Sequence, residues 1–151
     1  MNCNTDVSLF CFIGRTMRSI MLILEEKFEE EGLGLNLPQF ILLNILSNND
    51  NLILEDLSKF LNKDKSAILR NVNYLENKFL IAKMTDKNDR RRKVLVLTKK
   101  GVEMLENARL IEQQLQQKLT NGLACDKVNN FKNVLEQMKE QANLILGAEN
   151  I

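Results

Sequence analysis

The sequence predicts a mostly α-helical fold that contains one small β-hairpin. Apolar residues recur every three or four positions along most of the 151-residue chain, which is the spacing of one helix face. Aromatic residues make up only 5% of the chain, which has one Pro and six Gly, and this composition also favours helices. A charged turn at 86–92, between two short runs of strand-forming residues, predicts the hairpin. The length fits one domain with a buried core.

The first two helices are predicted from their apolar stripes and their end signals. The first helix runs from about Asp6 to Glu31 and stops before Gly32. The second helix starts at Asn36, because Asn36 can cap it and Gln39, three residues later, completes a capping box. The broad apolar stripe of the first helix comprises Leu9, Phe12, Ile13, Met17, Ile20, Leu24 and Phe28.

Two further helices, joined by residues 62–63, form a predicted helix-turn-helix. The short one covers 54–61, and the long one follows the N-cap Asp64 and ends near Lys78. The expected inward residues are Leu57, Phe60, Leu61, Ile68, Val72 and Leu75. The opposite face of the long helix carries Lys65, Ser66, Leu69, Arg70 and Asn73. Such a face is typical of a recognition helix in a DNA major groove, although taken alone it also fits an ordinary exposed surface.

The hairpin strands are predicted at 81–85 and 93–97, with Arg90, Arg91 and Arg92 at the tip. Three adjacent guanidinium groups repel one another unless an anion lies between them. The tip therefore favours nucleic-acid phosphate or the negative potential of a minor groove. The two faces of the second strand are expected to carry Val94 with Val96 and Leu95 with Leu97.

The chain ends in two long predicted helices. Thr98 caps the fifth helix, and Gly122 breaks it. The apolar side of the fifth helix comprises Val102, Leu105, Ile111, Leu115 and Leu119. The sixth helix has a heptad-like seam of Val128, Phe131, Leu135, Met138, Ala142 and Ile145. Together with the first helix, these stripes exceed what one helix-turn-helix lobe can cover, so the sequence predicts a homodimer rather than a monomer.

The charge of the chain is unevenly distributed. Residues 59–100 contain thirteen basic and four acidic residues, a net charge of +9, whereas the rest of the chain has eight basic and sixteen acidic residues, a net charge of −8. A basic middle between acidic ends indicates one lobe that faces nucleic acid on an otherwise acidic body.

The hairpin also resembles the wing of the multiple-antibiotic-resistance regulator (MarR) family of bacterial repressors, through Asp89-x-Arg91, Leu95-x-Leu97-Thr98 and Gly101. The resemblance extends over nearly the whole chain. It implies a single domain, 1–151, with a winged helix-turn-helix lobe at 36–101 and helical dimerisation regions at 6–35 and 102–147. It also implies a cytoplasmic, sequence-specific regulator, a repressor that binds a pseudo-palindromic double-stranded DNA operator with half-sites about one helical turn (~34 Å) apart.

Candidate contacts follow from the charge pattern and the resemblance together. The wing residues expected in the minor groove are Arg90, Arg91 and Arg92. The helix residues expected in the major groove are Lys65, Ser66, Arg70 and Asn73. Phosphate contacts are expected from Lys63, Lys93 and Lys99. The dimer interface is expected to include Leu9, Phe12, Ile13, Leu119, Phe131, Leu135, Met138, Ala142 and Ile145.

The signal that releases the DNA is left open by the resemblance. Some members of the family bind a small aromatic carboxylate or phenol, and Arg15 and Arg18 are candidates to hold such an effector, although a surface salt bridge is the favoured interpretation. Another branch oxidises a cysteine near the start of the first helix, where this chain has Cys11. Because its neighbours are apolar, Cys11 is expected to be a buried small hydrophobe instead.

Two positions depart from the family's pattern. The family usually has Gly after the recognition helix, where this chain has Phe79. Either Phe79 adopts a left-handed backbone conformation at a cost of ~1–2 kcal/mol, or the helix ends differently. The family often has Asp, paired with the wing Arg, where Asn73 stands. Only a hydrogen bond between Asn73 and Arg91 can replace that pair, so the wing is expected to be tied less tightly to the helix.

The composition argues against several classes of function. The chain has no His, which removes the commonest general base and metal ligand, and it has no glycine-rich phosphate loop, so no catalytic residue, cofactor or metal is predicted. Three cysteines without paired spacing indicate a reducing cytoplasm, and no apolar run reaches the length of a membrane span. The main alternative is a winged-helix protein-interaction module without DNA binding, which the +9 segment argues against. An enzyme or helical ligand carrier has less support still.

Overall fold

The computed structural model describes residues 8–61, 63–86 and 89–148, and the chain divides after Gln113 into two compact units. The elements are α1 (Leu9–Glu30), α2 (Leu37–Asn48), α3 (Leu54–Leu61), α4 (Lys65–Asn77), β1 (Ile81–Thr85), β2 (Lys93–Leu97), α5 (Lys99–Leu119) and α6 (Cys125–Ala148). The prediction of a mostly helical fold with a two-stranded wing is confirmed, and both strands have the predicted bounds. Residues 6–7 of the predicted first helix lie outside the described residues.

α1 packs on α2 near its C-terminal end. Phe28 is fully buried and meets Phe40 edge to face, with ring centroids 5.2 Å apart. The helix stops in a Schellman turn, in which the N–H groups of Gly32 and Leu33 donate to the carbonyl oxygens of Glu29 and Phe28. This turn redirects the chain into α2, as the stop signal at Gly32 predicts.

α2 starts with the predicted capping box and runs through the core of the first unit. Asn36 Oδ1 accepts from the Gln39 N–H, and Gln39 Oε1 accepts from the Asn36 N–H, both at 3.0 Å. The capping box satisfies two backbone N–H groups that would otherwise lack partners. The buried core of this unit includes Leu24, Phe28, Phe40, Leu42, Leu43, Leu46, Leu57, Ile68, Val72, Leu75, Leu80, Ile81, Leu105 and Ala108.

α3 and α4 form the predicted helix-turn-helix. Asp64 caps α4, because its Oδ1 accepts from the Ala67 N–H at 2.8 Å. α3 has a cap that the sequence analysis did not find: Asp56 Oδ2 accepts from the Ile53 N–H at 2.9 Å. The assignment of Phe60 to the core is wrong, because its side chain is 58% exposed. A two-turn helix buries only a narrow stripe, and the stripe of α3 does not reach Phe60.

β1 and β2 pair antiparallel in the register that places Ile81 opposite Leu97. The Leu95 N–H also donates to Leu52 O at 2.8 Å, which joins β2 to the loop before α3. The alternation predicted for β2 does not appear in its burial, because Val94 and Leu95 are both buried although they point to opposite faces. α2 packs against β2, so the base of the wing is enclosed by the lobe on more than one side.

The link from α4 to β1 is a second Schellman turn. The Phe79 N–H donates to Glu76 O and the Leu80 N–H donates to Leu75 O, both at 2.9 Å. Phe79 has φ +59°, so the left-handed conformation is the one of the two sequence alternatives that occurs. The recognition helix therefore ends with the usual turn geometry, without the glycine that normally permits it.

α5 starts in contact with this turn. The Gly101 N–H donates to Thr98 Oγ1 at 3.0 Å, which confirms the predicted cap, and Thr98 Oγ1 donates to Phe79 O at 2.6 Å. A Cβ on Gly101 would lie 1.9 Å from the carbonyl oxygen of Leu80, so no larger residue fits there. The close approach of α5 to the start of β1 thus fixes the position of the wing base.

The second unit contains the end of α5 and α6. Gly122, at φ +79°, lies in the turn between them, as predicted. The seam of α6 is only partly covered: Val128, Leu135 and Met138 are half-buried. The other seam residues, Phe131, Ala142 and Ile145, are exposed. Three of the six predicted seam residues thus stay exposed in the single chain.

Candidate nucleic-acid interface

The outward face of α4 is exposed over its full length. Its inward side chains pack into the first unit, which turns the opposite side to solvent. All five residues predicted for this face are exposed: Lys65, Ser66, Leu69, Arg70 and Asn73. The capped N-terminus of the helix adds the positive end of its dipole to these cations, which favours an anionic partner.

The wing tip is shaped by a turn at Asp89. Asp89 Oδ1 accepts from the Arg91 N–H at 2.9 Å, and the Asp89 carbonyl oxygen accepts from the Arg92 N–H at 3.0 Å. Arg90 and Arg91 are exposed, and among the described residues their guanidinium groups have no ion pair and no hydrogen bond. Two of the three predicted wing arginines are therefore free to meet an external anion.

Arg92 is placed differently from the other two. Its guanidinium turns toward the protein, with Nη2 3.6 Å from Asp56 Oδ2, Nε 3.8 Å from Asp86 Oδ2, and Nη2 donating to Asn51 O at 3.4 Å. This placement corrects the expectation that Arg92 points into the groove with Arg90 and Arg91. Asp56 was not predicted as a partner of the wing, although its position three residues after Ile53 is the signal of a helix cap.

A shallow cleft of about 430 Å³ separates the wing from the start of α3 and α4. Its lining comprises Ile53, Leu54, Glu55, Lys65, Asp89, Arg91, Arg92 and Lys93. Lys65 Nζ lies 3.7 Å from Glu55 Oε2, which keeps this lysine near the start of α3. Both partners of this ion pair are largely exposed, so the pair is weak and can be exchanged for a phosphate contact.

The lysines predicted to bind phosphate are all exposed. Lys93 Nζ donates to Thr85 Oγ1 across the hairpin at 2.7 Å, and the side chains of Lys63 and Lys99 form no hydrogen bond or ion pair among the described residues. Lys100, which was not singled out, donates to Lys78 O at 3.0 Å and so satisfies a carbonyl at the end of α4.

The expected hydrogen bond between Asn73 and the wing does not form. Among the residues that the structure describes, the Asn73 amide contacts neither Arg91 nor any other hydrogen-bonding group. The wing is instead tied to α4 by Glu76, whose Oε2 accepts from Lys83 Nζ on β1 at 2.6 Å. Through Arg92 it is also tied to the start of α3 and to the loop before it.

The signal candidates on α1 are all exposed. Cys11 is exposed in the single chain, so the expectation of a buried small hydrophobe is wrong there. Apolar neighbours in sequence do not bury a residue when that part of the helix has no cover in its own unit. Arg15 and Arg18 are exposed as well, and neither forms the expected salt bridge with a carboxylate in 8–61, 63–86 or 89–148.

Other parts of the described chain offer no competing chemistry. No group of three or more His, Cys, Asp or Glu side chains there is arranged to hold a metal ion. No helix among these residues is both long enough and apolar enough to span a membrane. A second open cavity, of about 600 Å³, is lined by the carboxylates of Glu25 and Glu29 and by Tyr74, whose hydroxyl donates to Gly34 O at 2.8 Å.

Comparisons with known proteins agree with this geometry. Residues 35–93, from just before α2 to the first residue of β2, match the model of the MarR family. The chain is 23% identical to YdgJ, an uncharacterised helix-turn-helix-type transcriptional regulator of Bacillus subtilis, over 85% of this chain and 78% of that protein. Its fold is similar to that of a MarR transcriptional regulator from Methanosarcina mazei Go1, with a TM-score of 0.76 and 25% identity over 89% of this chain and 98% of the other.

The fold is also similar to that of MepR from S. aureus in a complex with DNA, with a TM-score of 0.74 and 21% identity over 92% of this chain and 99% of the other. Residues 35–93 thus match the MarR family, and over most of its length the chain is similar to proteins described as transcriptional regulators.

Proposed function

We propose that this chain is a homodimeric repressor whose two winged lobes bind the half-sites of a pseudo-palindromic DNA operator. The observation that supports this most directly is the pair of exposed cationic surfaces in one lobe: the outward face of α4 and the wing tip with Arg90 and Arg91. A helix of this kind fits the major groove, and two free guanidinium groups on a hairpin fit the adjacent minor groove. The half-sites would lie about one helical turn (~34 Å) apart.

Each surface has a distinct role in the proposal. Arg70 can donate to guanine and Asn73 can bond adenine, so these two side chains would read base edges. Lys65 and Ser66 would lie beside them in the major groove, and contacts that orient the lobe on phosphates would come from Lys63, Lys93 and Lys99. A regulator with these contacts works in the compartment that holds the DNA, which for a bacterial protein is the cytoplasm.

Dimer formation is supported by apolar side chains that the single chain leaves exposed. On α1 these are Leu9, Phe10, Phe12 and Met17. On α6 they are Phe131, Val134, Leu144, Ile145 and Leu146. Exposed apolar surfaces of this extent are typical of protein interfaces, and a second copy of the chain offers the same surfaces in return. The remaining predicted interface residues, Ile13, Leu119, Leu135, Met138 and Ala142, belong to the same two ends of the chain.

The DNA contacts are tested by comparing Arg91→Ala with Lys132→Ala, which removes the same charge from an exposed position on α6. The probe is a duplex that the wild-type protein selects from a random library, in gel shifts from 50 to 300 mM salt. We expect Arg91→Ala to weaken binding severely and to make the slope of log K against log salt less steep by ~0.9, because one fewer cation displaces counterions from the DNA. Equal effects of the two substitutions would reject the wing as a DNA contact. A failure of the wild type to select any duplex would favour a protein-interaction module.

The dimer is tested by light scattering on Phe131→Glu, with Asn129→Glu as the control for an added charge on the same helix. We expect Phe131→Glu to give monomers at micromolar concentration, because burying a carboxylate in an apolar interface is costly. It should also weaken DNA binding, since the two half-sites are then no longer bound by linked lobes. A wild-type protein that is monomeric under the same conditions would refute the proposed assembly.

For the signal, we propose a small aromatic carboxylate or phenol as the effector, with Arg15 and Arg18 as candidates to hold a carboxylate. Salicylate serves as the probe, and we expect it to release selected DNA from the wild type and less so from Arg18→Ala. The exposure of Cys11 makes oxidation the competing signal, so the same release assay with hydrogen peroxide compares the wild type with Cys11→Ser. Peroxide release that Cys11→Ser abolishes would replace the aromatic effector with a redox signal.

A further inference from the structure

Arg92 connects three separate pieces of the lobe. Its guanidinium lies 3.6 Å from Asp56 on α3 and 3.8 Å from Asp86 at the end of β1, and it donates to the carbonyl of Asn51 in the loop before α3. The Arg92 side chain is 43% exposed, whereas those of Asp56 and Asp86 are 30% and 11% exposed. The two carboxylates therefore hold the guanidinium from the protein side.

The partners of Arg92 are themselves fixed. Asp56 Oδ2 also accepts from the Ile53 N–H at 2.9 Å, so the same carboxylate oxygen caps α3 and pairs with the wing. Asn51 has φ +59°, a left-handed conformation that turns the loop before α3. The next residue, Leu52, accepts a hydrogen bond from the Leu95 N–H on β2. The wing is thus anchored to a loop and a helix start whose geometry is already set.

We propose that Arg92 is a positioning residue: by binding Asp56 and Asp86 it holds the wing against the start of α3, so that Arg90 and Arg91 are presented to DNA in a fixed orientation. This inference rests on the proposed DNA-binding function and assigns different roles to the three arginines of the wing. Two arginines contact DNA, and the third reduces the conformational freedom that the wing loses on binding. The anchor acts near the tip of the wing, whereas the ion pair between Glu76 on α4 and Lys83 on β1 joins the wing to the recognition helix.

Simple electrostatics and the positioning role predict opposite effects for one substitution. Removing the negative charge of Asp56 from a DNA-facing lobe should strengthen binding if only net charge matters. If Asp56 anchors the wing through Arg92, the same change should weaken binding. Asp56→Asn is the suitable variant, because its amide oxygen can still accept the Ile53 N–H. Glu55→Gln removes one negative charge from the adjacent exposed residue and also releases Lys65 from its weak ion pair, so it should strengthen binding on both counts.

The experiment measures the affinity and salt dependence of wild type, Arg92→Met, Asp56→Asn, the double variant, Glu55→Gln and Arg91→Ala for the same selected duplex. We expect Arg92→Met and Asp56→Asn each to weaken binding roughly threefold, the size that a partly exposed ion pair allows. The double variant should bind DNA no less tightly than the single variant of lower affinity, because both substitutions remove the same ion pair. Arg92→Met should keep the wild-type salt slope, while Arg91→Ala lowers it. Arg92→Lys should recover part of the loss.

A second measurement tests the anchor without DNA. Hydrogen exchange of the Leu95 amide, which bonds to Leu52, should be roughly threefold faster in Arg92→Met than in the wild type, as expected for one partly exposed ion pair. The proposal is overturned if Arg92→Met lowers the salt slope as Arg91→Ala does, if Asp56→Asn strengthens binding as Glu55→Gln does, or if the exchange rate is unchanged. If the wild type selects no duplex, the DNA-binding proposal fails on its own, and the exchange rate still decides whether Arg92 anchors the wing.

Discussion

Replacing Phe79 by glycine and by alanine tests whether the turn after α4 is strained. Phe79 has φ +59°, where a Cβ costs ~1–2 kcal/mol relative to glycine. Glycine also gives the unfolded chain more conformational freedom, which lowers the stability of the glycine variant by ~0.4–1 kcal/mol. The ring is 72% exposed and is absent from both variants, so its burial cancels in the comparison. We therefore expect Phe79→Gly to be more stable than Phe79→Ala by about 0.5–1 kcal/mol.

This order is the reverse of that at an ordinary helical position. Glu106, an exposed residue inside α5, provides the control. The free energy of unfolding of Glu106→Ala should be larger than that of Glu106→Gly by ~1 kcal/mol. Urea unfolding at a single protein concentration gives the four free energies, and a difference of 1 kcal/mol corresponds to roughly 2–4 °C in Tm for a chain of this size. If Phe79→Ala equals or exceeds Phe79→Gly in stability, α4 does not end in a left-handed residue and the argument from strain is wrong.

Substitutions at three other positions test the packing and capping of the lobe by urea unfolding. Gly101→Ala should destabilise the protein by roughly 3 kcal/mol, because its Cβ would overlap the backbone oxygen of Leu80; a neutral result would show that α5 does not approach β1 so closely. Asp64→Ala should cost about 1 kcal/mol through loss of the cap on the Ala67 N–H, and Asp64→Ser should restore most of it, whereas equal losses would implicate charge instead of capping. Leu43→Ala, at a fully buried site, should cost about 2–5 kcal/mol, and a loss below 1 kcal/mol would place Leu43 outside the core.

Much of the fold was predictable because its signals are local. The capping box at Asn36 and the cap at Asp64 each involve residues three positions apart, so the sequence displays both partners together. The hairpin is equally local, since a charged turn joins two adjacent strands with the predicted bounds. The outward face of α4 follows from the same periodicity that identifies its buried stripe.

The errors concern cover that comes from elsewhere in the fold. Phe60 was assigned to the core from helical spacing, but the fold buries only a narrow stripe of α3. Cys11 was expected to be buried from its apolar neighbours, but the start of α1 has no cover in its own unit. Periodicity identifies which residues share a face, and it cannot tell how far along an element the cover extends.

The sequence by itself determined the helices, their caps, the wing and the cationic segment, because spacing, capping and charge are properties of neighbouring residues. Only the tertiary structure decided how the three wing arginines differ, since Arg92 and the Asn51 carbonyl that it binds are 41 residues apart. The same holds for Gly101: only glycine fits at this position, because a Cβ would overlap the backbone of Leu80. Contacts between distant segments depend on how the elements pack, and the residue type at one position does not indicate which distant residue it will contact.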